Sequence, residues 1–82
     1  MISIPSFSGN EERVADLMVA TWVEHGYSAE RSGNNVWVKS RNFDPVKPTI
    51  LLDAHLDTVR PNGNWEKDPF TAVVEDGKLY GL

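Results

Sequence analysis

His55 and Asp57, within the run Ile50-Leu51-Leu52-Asp53-Ala54-His55-Leu56-Asp57-Thr58-Val59, are the residues whose types and spacing point most directly to chemistry. On an extended backbone, residues i and i+2 face the same side, roughly 6 to 7 Å apart along the strand. An imidazole and a carboxylate sharing one small volume suit a metal site, where one binds the ion and the other orients its partner. The alternative is a strand-end histidine hydrogen-bonded to backbone, with Asp57 capping a turn. One histidine and one aspartate do not complete a zinc centre, since a catalytic zinc takes three protein ligands plus a water and a structural zinc takes four. Other carboxylates close in sequence are Asp53, Glu66 and Asp68. Asp53 interrupts an apolar run and reads as a buried aspartate satisfied by loop N–H groups, or else as an acceptor behind the ligand. Asp68 precedes Pro69 and reads as loop geometry. Trp65 and Phe70 read as lids on the core edge rather than a substrate platform, and His25 as a capping or surface histidine.

The elements that must position this pair follow from pattern. Thr49 to Ala54 is a continuous apolar run, the signature of a strand covered on both faces. It predicts a buried strand over about 49–55, whose carboxyl end delivers His55 and Asp57 to the place where open α/β sheets bind ligands. Ser8-Gly9-Asn10-Glu11 has the form of a capping box, in which Ser8 and Glu11 each satisfy an N–H of a first turn. A helix over about 9–25 follows, with Val14, Leu17, Met18, Thr21 and Trp22 at helical spacing as its apolar stripe. Gly26 is its left-handed stop, after which Tyr27 can pack back on Trp22. A hairpin over about 27–40 turns at Ser32-Gly33-Asn34-Asn35, and another over about 70–82 turns at Asp76-Gly77. The proline-bearing segments 41–48 and 60–69 are surface loops.

Composition narrows the function. The 82 residues carry a net charge of −4 with eight basic and twelve acidic side chains, and no cysteine. No basic stripe exists to displace phosphate counterions, so nucleic acid is not an expected partner. Any metal site must use His and carboxylates. No run is long enough for a membrane span and no signal peptide is apparent, so no membrane partner and a cytoplasmic location are the expectations. So short a chain buries too little surface for a double-covered strand, and a single helix cannot cover it. The residues are therefore expected to belong to a larger α/β domain, and an ending at Gly81-Leu82 fits a cut through a fold.

Ile4-Pro5-Ser6-Phe7-Ser8-Gly9-Asn10-Glu11-Glu12, Leu51 to Pro61, Trp65, Asp68-Pro69-Phe70 and Asp76-Gly77-Lys78-Leu79-Tyr80-Gly81 occur in an order that resembles one family along nearly the whole chain. It is the co-catalytic zinc aminoacylase and carboxypeptidase family, which includes acetylornithine deacetylase, succinyl-diaminopimelate desuccinylase, aminoacylase-1 and glutamate carboxypeptidase. The resemblance implies a three-layer α/β/α zinc-peptidase-like catalytic domain with a mixed sheet, of which residues 1–82 are the amino-terminal segment. It implies two zinc ions per site, with cobalt as a substitute, His55 as a ligand to one zinc, and Asp57 as the catalytic acidic residue that clamps and tunes it. The remaining ligands, the general-base glutamate, the substrate-carboxylate binders and a dimerisation domain would lie beyond residue 82. Ala54 stands where the family commonly has glycine or serine, a mild change. The implied activity is zinc-dependent hydrolysis of the amide of an N-acyl amino acid or short peptide. The wording is most like acetylornithine deacetylase of arginine biosynthesis, and the 82 residues alone are expected to be inactive. The alternatives are a desuccinylase, a metallo-carboxypeptidase or dipeptidase of the same family, and a non-catalytic α/β binding module.

Overall fold

Helix α1 (Glu12–Glu24) ends in a Schellman geometry. The Gly26 N–H donates to the Val23 carbonyl and the Tyr27 N–H to the Trp22 carbonyl, both at 2.9 Å. Gly26 has φ +79°, where a Cβ is strained, and Tyr27 meets Trp22 edge-to-face at 5.4 Å, as the sequence predicts. The other end departs from expectation. Glu11, not Ser8, is the N-cap residue, and no side chain caps it. The Gly9 N–H, not that of Ser8, donates to the Glu11 carboxylate at 2.6 Å, in a turn that precedes the helix, so the predicted box does not form. Because the Phe7 carbonyl already closes that turn by accepting from Asn10 at 2.7 Å, the chain at Ser8 is not yet helical.

The computed structural model describes residues 1–82 as one helix and two separate two-stranded antiparallel sheets, a mixed α/β arrangement. Strands β1 (Ala29–Ser32) and β2 (Asn35–Val38) pair from Ala29↔Val38 to Ser32↔Asn35 around Gly33-Asn34. Strands β3 (Val73–Glu75) and β4 (Lys78–Tyr80) pair around Asp76-Gly77, both at positive φ, the pattern of a type I′ turn. Helix α1 lays its inner face on β1 and β2, with Val14 and Ala15 fully buried and Leu17, Met18, Thr21 and Trp22 half-buried. Arg31 on β1 pairs with Asp16 on the helix, and Asn34 in the turn donates to Glu11 at 3.0 Å. The amino-terminal residues return beside 58, 69–70 and 81–82: Phe7 bridges to Thr58 in the parallel sense, and Ile2 lies against Gly81.

The buried strand predicted over 49–55 is not formed. Residues 49–57 have no ladder partner, and Ile50, Leu51 and Leu52 are 87, 81 and 91 % exposed. Both sheets here are local hairpins, which close short loops cheaply, whereas a strand covered on both faces needs neighbours from elsewhere. Only three of the 82 residues are buried. The radius of gyration is 15.6 Å, against about 12 Å for a compact chain of this length. Accessible surface is 6744 Å², against about 4,900 Å² for a compact protein of this mass. No helix is long and apolar enough to cross a membrane.

Candidate metal-ligand site

Residues 55–57 come together through local geometry, not through a strand. The His55 Nδ1 lies 2.8 Å from the Asp57 carbonyl oxygen and 3.1 Å from the Asp57 Oδ1. Both neighbours are acceptors, so in the neutral ring Nδ1 carries the proton and Nε2 keeps the free lone pair. That is the tautomer a ligand histidine needs when a carboxylate or carbonyl holds its other nitrogen. The backbone carbonyl is the nearer partner, the kind of contact expected in the alternative reading of a histidine hydrogen-bonded to backbone. The His55 side chain is 85 % exposed and that of Asp57 39 %.

The segment is tied to the amino terminus. The Thr58 N–H donates to the Ser6 carbonyl at 2.8 Å, and the Ser6 hydroxyl donates to the Leu56 carbonyl at 2.9 Å across 50 residues of sequence. Ser6 is 3 % exposed, and sequence reasoning passed over it because a serine beside proline carries no periodic or spacing signal. Phe7 beside it packs edge-to-face on Phe70 at 6.0 Å and carries the Arg60 guanidinium 4.5 Å above its ring. Thr58 Oγ1 is buried without a partner.

An open groove of about 560 Å³ separates this segment from the helix start and the first hairpin. Glu11 and Asn34 stand on one side, and Asp53, His55 and Asp57 on the other. Bonds from the Gly9 N–H, its own N–H and Asn34 hold the Glu11 carboxyl below its ordinary value, while the Asp57 charge opposes that shift. Asp53 is exposed rather than buried, and it makes no hydrogen bond to the His55 ring. Asp68 accepts from the Phe70 N–H and the Thr71 hydroxyl, both at 2.9 Å, and so shapes its loop as expected. His25, the C-cap residue of α1, donates its Nδ1–H to the Thr21 carbonyl at 2.8 Å, a capping role as expected. Phe70 is half-buried against Phe7, while Trp65 is 41 % exposed in the loop.

No three His, Asp or Glu side chains are grouped so as to hold a metal ion. The donor set fits one ligand position, His55 Nε2, and does not complete a zinc centre. No hydrolytic step follows from these residues by themselves. No protein-family model matches the chain, and no solved structure matches it.

Proposed function

We propose that residues 1–82 form the amino-terminal part of the catalytic domain of a zinc-dependent amidohydrolase that deacylates N-acyl amino acids, most like the acetylornithine deacetylases. The observation that carries this reading is the His55 ring, held at Nδ1 by Asp57 with Nε2 free, at the position where the order of motifs resembles the family's ligand. In this reading His55 Nε2 would hold one ion, and Asp57 keeps the ring in the ligating tautomer. A two-zinc centre, when bound, supplies polarisation of the acyl carbonyl and activation of a water. The exposed Ile50-Leu51-Leu52 run and the excess of accessible surface support a larger α/β/α domain that covers them. Cobalt substitution, a homodimer, a cytoplasmic location and a place in arginine biosynthesis belong to the same proposal.

The test is made in the complete protein. His55→Ala should remove zinc-dependent hydrolysis of N-acetyl amino acids and lower the zinc content measured by atomic absorption. Unchanged activity and unchanged zinc would overturn the assignment. The second reading is a non-catalytic α/β binding module, and a complete protein that neither holds zinc nor deacylates would favour it over the hydrolase.

A further inference from the structure

We infer that Ser6 is a positioning residue for His55, acting through the two peptide units that flank Asp57. The peptide joining Asp57 to Thr58 is a rigid plane. Its N–H donates to the Ser6 carbonyl at 2.8 Å, while its C=O accepts from His55 Nδ1 at 2.8 Å. The peptide joining Leu56 to Asp57 is pinned in turn, because its carbonyl accepts from the Ser6 hydroxyl at 2.9 Å. Ser6 thus holds both planes about the Asp57 Cα, and with them the direction of the carbonyl that holds the imidazole. Apart from this carbonyl at 2.8 Å and the Asp57 carboxylate Oδ1 at 3.1 Å, no group in the chain hydrogen-bonds to the His55 ring, whose side chain is 85 % exposed. The bracket thus fixes the nearer of the two acceptors that keep the proton on Nδ1. Ser6 is itself 3 % exposed and comes from the opposite end of the chain segment, so the bracket is tertiary rather than local. The alternative role, a core serine satisfied by any nearby carbonyl, would leave the imidazole indifferent to the hydroxyl.

The consequence for ligation rests on the zinc reading, but the geometry does not, and it is tested without metal. Long-range ¹H–¹⁵N spectra of the labelled 82-residue chain report which nitrogen of His55 carries the proton. The wild-type chain should show mainly Nδ1–H. Ser6→Ala and the size-preserving Ser6→Cys should each move the tautomer ratio about fivefold toward Nε2–H, the effect of one lost hydrogen bond. Ser6→Thr, which keeps the hydroxyl, should restore it. Wild-type tautomer ratios in Ser6→Ala and Ser6→Cys would overturn the inference. So would a Thr58 amide that exchanges with solvent as fast as an unbonded loop amide in the wild-type chain, a measurement that needs no variant to fold. A chain with the bracket intact whose complete protein lacks zinc and activity would sink the hydrolase proposal and leave this one standing.

Discussion

Glu11 accepts from the Gly9 N–H at 2.6 Å and from Asn34 at 3.0 Å, so its charge is linked to the folded state. These bonds favour the ionised form and lower its pKa from the ordinary 4.5. A lowered folded value means that the contribution is present above the unfolded value and is lost as pH falls through the folded one. The urea midpoint of the wild-type chain should therefore drop as the pH falls below the ordinary 4.5. Glu11→Gln, which cannot ionise, should show a shallower drop over the same range, and parallel curves would mean that the bonds do not persist in solution. Asp57 sits at the same scale with a different dependence. Its backbone carbonyl is nearer to the ring than its carboxylate is, so part of its grip on His55 is independent of its side chain.

Among the elements, the two ends of the helix separate a local rule that operates from one that does not. Gly26 at φ +79° completes the Schellman ending, and a Cβ there would meet Arg41 at an unstrained 3.7 Å. The penalty for Gly26→Ala is thus conformational, about 1 kcal/mol, read as a lower thermal midpoint. Ser8→Ala should fall within about 0.5 kcal/mol of wild type, the range of a surface substitution, since Ser8 caps nothing. A loss of about 1 kcal/mol, as for a true N-cap, would restore the predicted capping box. The hairpins show why some elements were legible beforehand: Gly33-Asn34 and Asp76-Gly77 decide their turns within four residues of sequence. The strand over 49–55 was not legible in that way. Its apolar run records the surroundings it would suit, and those surroundings are not a property of the run.

At the scale of the whole molecule, an exposed apolar segment with free backbone groups is prone to pair with another chain. Leu51 is 81 % exposed, so Leu51→Lys should leave the thermal midpoint within about 0.5 kcal/mol of wild type. The same change should reduce self-association in sedimentation velocity. A substantial loss of stability would show that Leu51 is covered in solution. The closure of the amino terminus on the second hairpin offers the converse case. A Cβ at Gly81 would stand 2.7 Å from the Ile2 side chain, so Gly81→Ala should shift Ile2 and change the nuclear Overhauser contacts that residues 2 and 81 make in the wild-type chain. Absence of those contacts in the wild-type chain would mean that the two segments are not packed as described.

The candidate site divides along the same line. The types His55 and Asp57, two residues apart, were visible at once, because i and i+2 proximity needs only a short piece of backbone. Helix α1, its Schellman ending and both hairpin turns were equally visible, since each is decided by φ preferences and side-chain periodicity over a few residues. Ser6 as the anchor of that site, Glu11 with Asn34 across the groove, and the solvent exposure of 50–52 were not visible. Those depend on which distant segments meet, and a hydrogen bond spanning 50 residues leaves no mark in the spacing of either partner's neighbours.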